Sequence, residues 1–368
     1  MKLFASIWSV LSLLFLPFTF QFLPQIGVGL SKFILPLNEK ICSLFGVNIH
    51  NSFLVSDSLA SFSTGFILLL VSLFVTVLCY WKAEKFRENI QKVLFFTLLF
   101  FVSYFLLHYG LDKLFGLQFY TPASNTLHTP VGQLDKDILF WTSMGTSAFY
   151  NQFMAVLEIT VGVLLLFNHT RFLALIIAFG AFLNIFALNI GFDITVKYLS
   201  GLLLISSLVC LSFYADNIRF LVGKTTHSQV VPHLSQSFVL MLFIPFALDL
   251  SVTYRSVKPK NSGKSYLVKS ISEKSQLIDS ENIVRIHVHP ENYLITEDKY
   301  QKFTSYKLKD NQKTVVINNQ NIPISINNNQ LVWSENDTKI LWKIQEIDLQ
   351  KMPLKQDKTH WYFEGIIP

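Results

Sequence analysis

The chain has 368 residues, of which 51% are apolar and only 15% charged, and Phe occurs 35 times. Soluble domains usually carry about 25% charged residues, and a soluble globule could not hide this much apolar surface from water. The composition excludes a disordered protein, a disulfide scaffold and an ordinary cytosolic enzyme. The net charge of +6 contains no basic run, so it gives no nucleic-acid footprint.

A hydrocarbon core about 30 Å thick needs about 20 apolar residues as helix. Seven stretches meet or approach that length, at residues 3–23, 59–81, 93–115, 149–167, 172–190, 197–215 and 236–251. Lys2 opens the first, and no small-residue cleavage site follows it, so it reads as an uncleaved span. Between the first two lies a long outer loop, where Ser31 is predicted to cap a short helix through Phe45, lying on the bilayer. The last stretch is the shortest and contains Pro245. Lys82, Lys85, Arg87 and Lys92 crowd one short loop, which the positive-inside rule puts in the cytoplasm. With seven spans the C-terminal region then lies outside, in a bacterial periplasm; if the short last stretch does not cross, it lies in the cytoplasm.

Residues 252–281 are rich in Ser and Lys and read as a linker. From there the apolar period becomes two: Val284, Ile286 and Val288, then Ile322, Ile324 and Ile326, then Ile340, Trp342 and Ile344. Asn318-Asn319 and Asn327–Asn329 supply hairpin turns between Val315–Ile317, Ile322–Ile326 and Leu331–Trp333. Residues 282–368 are thus expected to form a small antiparallel all-β domain. His287 and His289 share one strand face with Arg285, which reads as solvated rather than as a metal site. Cys42, Cys79 and Cys210 form no CxxC or metal-ligand spacing.

An ionisable side chain near the bilayer centre costs about 2.5–3.5 kcal/mol, so it calls for a partner or a task. Glu158 lies mid-way along the fourth stretch, and His108, Tyr109, Asp112 and Lys113 follow one another near the outer end of the third. Asn184 and Asn189 lie in the outer half of the fifth, and Asp193 and Lys197 flank its link to the sixth. At 1.5 Å per residue Glu158 is about 14 Å deep, and His108 and Asn184 about 10 Å. These nine residues describe a shallow polar pocket opening outward. A Lys stem reaches only about 6 Å, so contact between Glu158 and either lysine needs tilt or water between them. Two readings stand: structural ion pairing by Lys113 or Lys197, and a ligand or proton site.

The stretches YGLDKLFGLQF (109–119), WTSMGTSAFYNQFMAVLEITVGVLLLFNHTR (141–171), LNIFALNIGFDITVKYLS (183–200) and FYADNIRFL (213–221) resemble the DoxX-like membrane proteins in order and spacing. The resemblance covers about residues 95–221 and implies a four-helix membrane module, here 93–222, with Glu158 and Arg171 in its acidic and basic positions. Residues 1–92 then form two further spans with their loop, and 223–251 one last span. Some relatives in that family are linked to quinone reduction. The resemblance therefore implies a quinone-linked or small-ligand function in the outer leaflet of an inner membrane. No haem or iron–sulfur ligand set is present in the sequence. The alternative is a non-enzymatic envelope protein, anchored in the lipid bilayer, whose β domain binds a protein partner.

Overall fold

The computed structural model of the chain describes residues 1–16, 24–49, 56–221, 223, 244, 262–309, 312–327, 329–335 and 338–355. It divides into two compact units: Met1–Leu114 with Phe153–Lys258, and Phe115–Gln152 with Pro259–Pro368.

The first unit is helical. Its elements are α1 (Lys2–Phe15), α2 (Pro24–Leu44), α3 (Leu59–Lys82) and α4 (Arg87–Leu114). After the second unit's helices α5 (Ser124–His128) and α6 (Lys136–Gly145) come α7 (Ala148–Leu164), α8 (Arg171–Gly191), α9 (Lys197–Ser212) and α10 (Ala215–Leu221). α3, α8 and Glu84–Leu114, which contains α4, are long and apolar enough to cross a membrane. α6 and α7 add a fourth crossing if they count as one span, bent by 93° at their junction.

Seven spans are therefore not found among the described residues. α1 has 14 residues and α9 has 16, which at 1.5 Å per residue reach only about 21–24 Å. The expected seventh span, 236–251, lies outside the described residues apart from Ile244. Composition could count apolar residues but could not see where a helix stops. The loop helix also differs from expectation. α2 begins at Pro24, so Ser31 sits inside it and its hydroxyl bonds back to the Val28 carbonyl.

The packing of this unit has a membrane logic. α3 exposes Phe66, Leu70, Leu73, Phe74, Val77 and Trp81, which in water would be a large apolar patch. Its buried side carries Ser61, Ser63, Thr64, Gly65, Ser72 and Thr76, and α1 buries Ser6, Ser9 and Ser12. Small residues let helix backbones approach where lipid offers no hydrophobic drive. The Trp8 indole accordingly donates to the Gly65 carbonyl at 3.2 Å.

In the second unit β1 (Lys264–Ile271), β2 (Ile283–His289), β3 (Tyr293–Asp298), β4 (Phe303–Lys309), β5 (Thr314–Ile317), β6 (Gln320–Asn327), β7 (Gln330–Glu335) and β8 (Thr338–Ile347) form a closed antiparallel barrel in sequence order. The expected meander is β5–β7, and Asn318 and Asn319 turn it with φ of 47° and 64°. Asn tolerates this left-handed backbone because its short side chain bonds locally. β1 corrects the linker reading: eight residues inside 252–281 pair with both β2 and β8 and close the barrel. Ile286, Leu308, Val315, Ile324, Leu331, Ile340 and Ile344 fill the interior. There Trp333 and Trp342 stack at 6.2 Å between ring centroids. The Glu335 carboxylate fastens the β1–β2 connection by accepting from the Ser275 hydroxyl at 2.6 Å and the Gln276 amide at 2.9 Å.

Candidate functional site

In the helical unit α4 and α7 assemble the main polar cluster. Two glycines bring the helices together. A Cβ on Gly110 would lie 2.7 Å from the Ile159 side chain, and one on Gly162 2.7 Å from that of Leu107. The Ser103 hydroxyl completes the contact by donating to the Gly162 carbonyl at 2.7 Å. Lys113 is thereby laid against Glu158, with Nζ 2.6 Å from Oε2. The close approach of α4 and α7 thus gives a direct contact, without an intervening water, where the depth count calls for tilt or water.

Lys113 is 6% exposed and Glu158 1%. Glu158 Oε1 has no hydrogen-bond partner among the described residues. His108 is fully buried, stacks on the Tyr104 ring at 5.8 Å and lies 3.5 Å from Asp112 across one turn. The Lys113 ammonium sits 5.8 Å from the centre of the Tyr109 ring. Five of the nine expected residues therefore come together: His108, Tyr109, Asp112, Lys113 and Glu158.

The other four divide. Asn184 is exposed on α8 and points away from the packed face. Asn189 is buried and donates to the Ser200 hydroxyl at 2.9 Å, tying α8 to α9. Asp193 is exposed and pairs with Lys197 at 2.8 Å. Beside them is a residue that sequence reasoning missed. Asp57, at the entry to α3, accepts from the backbone amides of Lys197 and Tyr198, both at 2.8 Å. It caps the start of α9, where the residue in the capping position, Val196, offers no side-chain acceptor. No local signal could have found it, because cap and helix lie 140 residues apart. Arg171 is also structural: it is buried and donates to the Leu165 and Leu166 carbonyls at the end of α7.

The second unit holds a further buried cluster. His287 sits on the outer face of β2, yet it is fully buried. Its Nδ1 lies 2.8 Å from the Ser265 hydroxyl on β1, and its Nε2 lies 3.3 Å from Glu297 on β3. Arg285 donates to the other Glu297 oxygen at 2.6 Å. The cover is α5, whose His128 ring lies 5.0 Å from that of His287. This corrects the solvated-face reading for His287. The covering residues come from the 115–152 segment, far away in sequence. His289 remains partly exposed and accepts from the Glu291 amide. Among the described residues no group of three His, Cys, Asp or Glu side chains is arranged to hold a metal ion.

Fold and clusters together define an apolar helical bundle with a buried Lys–Glu pair, joined to a small β-barrel. No family model matches the chain, and no solved structure matches it. A Bacillus subtilis protein, Uncharacterized protein YwoB, is 30% identical over 140 residues, which are 38% of this chain and 88% of that protein. The chain belongs to the same family as YwoB.

Proposed function

We propose that the helical unit is membrane-embedded and binds a small ligand bearing hydrogen-bonding carbonyl oxygens, a quinone head being the type case. The residues are Glu158, Lys113, Tyr109, His108 and Asp112. One observation carries the reading. Glu158 is a buried acid with one oxygen on Lys113 and the other without a partner among the described residues. A group so costly to bury is retained for a task. Lys113 and Tyr109 are donors for a carbonyl oxygen, and Glu158 and His108 are groups able to hold or pass a proton. The DoxX-like pattern of residues 95–221 belongs to this proposal. So does an inner-membrane location. A quinone would supply the redox chemistry when bound; the electron donor would be another protein.

The sidedness of the barrel is part of the same proposal. The 115–152 segment joins α4 to α7 and belongs to the barrel's compact unit. The Ser124 amide donates to the Ser262 carbonyl at 2.7 Å, and α5 packs on β1 and β2. α4 starts beside the basic Lys82–Lys92 turn and ends where this segment begins. The barrel then faces the compartment opposite that turn, the periplasm or cell exterior.

A structural reading is favoured by the 2.6 Å Lys113–Glu158 contact, and one experiment separates the two. A short-chain benzoquinone or naphthoquinone is titrated into the detergent-purified protein, and melting is followed in parallel. Glu158→Gln should weaken quinone binding at least tenfold. Absence of binding by the unaltered protein, with a large fall in melting temperature for the variant, would leave only the ion pair.

A further inference from the structure

The buried cluster in the second unit contains a Ser–His–Glu chain, but it is not arranged to act as a nucleophile. Ser265, His287 and Glu297 are all at most 1% exposed. Their features fit a different device. α5 is a single short helical segment of five residues. It is held to the barrel by the Ser124 amide on the Ser262 carbonyl, by the Ser124 hydroxyl on the Lys264 carbonyl at 3.3 Å, and by His128 against His287. We propose that this contact is a pH-sensitive latch, which holds the 115–152 segment on the barrel when His128 is neutral and releases it on acidification.

The charges around His128 decide the sign. β2 presents His287 and Arg285, and β3 presents Glu297. β1 presents Ser265 and the Lys264 carbonyl, the Lys264 ammonium being paired with Glu346. Glu297 is already engaged by both Arg285 and His287. A proton on His128 would therefore meet one permanent cation and a second imidazole, while Glu297, the acid facing it among the described residues, is already shared. The His128 Nδ1–H donates to the Ser124 carbonyl at 2.8 Å, which positions the ring and favours the charged form, but less than burial and the neighbouring His287 and Arg285 disfavour it. Burial is the largest cause, and the imidazole is held below its ordinary value. A base held low in the docked state favours docking fully above the undocked pKa. That preference is lost as pH falls toward the docked value, by up to about tenfold per pH unit below about 6.5.

The latch would couple acidity on the barrel's side to the freedom of the segment that leads into α7. Its energy is modest, as befits a contact of one short helix, so it can respond within a physiological pH range.

The test is hydrogen exchange of the full chain in detergent at pH 7.5 and 5.5. Each amide rate is divided by its intrinsic rate at that pH. Protection across residues 123–129 should fall several-fold, up to about tenfold, at the lower pH, while protection in β5–β8 stays level. His128→Phe keeps a ring against His287 and cannot titrate, so its protection should not change with pH. If that variant does not fold, His128→Gln serves the same purpose. Equal protection at both pH values in the unaltered chain overturns the proposal. So does an undiminished pH effect in the folded variant.

Discussion

The helical unit and the barrel differ in what they expose more than in what they bury. The bundle has an interior of Leu, Phe and Val, yet α3 also turns Phe, Leu and Trp outward and lays its Ser, Thr and Gly against its neighbours. The barrel packs Trp333, Trp342 and its Ile and Leu residues inside and turns Lys307, Lys309, Lys339 and Lys343 outward. Each unit also sets a buried carboxylate against a cation, and the pairs differ as their surroundings do. Lys113–Glu158 is sealed on both sides. Arg285–Glu297 keeps its guanidinium end 33% exposed, so it retains water as a reserve partner. The same pairing chemistry should therefore be far more brittle in the bundle than in the barrel.

The largest break in the comparison is topological. Deleting Lys264–Ile271 from the full chain removes the strand that joins β2 to β8. An open barrel exposes two unpaired edges and the Trp333–Trp342 core. Far-UV circular dichroism should lose the strand contribution and keep the helical one, and proteolysis should digest the barrel region while sparing the bundle. An intact, protease-resistant barrel would mean that β1 is dispensable.

The second test is Lys113→Met. Glu158 would be left as a buried, uncompensated carboxylate, at a cost of about 3–5 kcal/mol. Adding Glu158→Leu removes that charge as well, and the double variant should recover most of the loss, since apolar replacement of a buried pair is often neutral. Thermal melting in detergent reads both. A single variant as stable as the parent would show that water reaches Glu158, and the contrast between the two pairs would fall.

How much of this was legible follows the range of the interactions. Alternation from Ile283 onward exposed the strands because a half-buried strand records its faces locally. β1 was hidden because Ser265, Lys269 and Ser270 dilute its apolar residues and Ser-Lys composition mimics a linker. Apolar length marked α3, α4 and α8 well. It overcounted at α1 and α9, where helix ends and not composition decide the span. In the polar cluster, ionisable residues in apolar segments singled out His108, Lys113 and Glu158, which α4 and α7 bring near one another. Counting depth along separate helices could not give the direct Lys113–Glu158 contact, because Gly110 and Gly162 set the helix approach. Glu297 and His128 were invisible for a plainer reason: a covering segment and a neighbouring strand supply them.

The smallest expected effect belongs to Asp57, and it tests whether a long-range cap matters inside the bundle. Asp57 holds φ at 54°, a left-handed conformation that Asp tolerates better than most residues. From there its two carboxylate oxygens take the amides of Lys197 and Tyr198, which otherwise have no acceptor at the first turn of α9. Asp57→Ala removes both acceptors and keeps the strained backbone, so it should cost about 1 kcal/mol, within the usual range for a lost cap. Asp57→Asn retains one carbonyl acceptor and the tolerance for positive φ, and should cost only part of that. Lys197 still has Asp193 at 2.8 Å, so its charge is not stranded. Melting of the two variants should rank alanine below asparagine below the parent. If alanine and parent melt together, the start of α9 is solvated, and Asp57 follows the helix rather than fixing it.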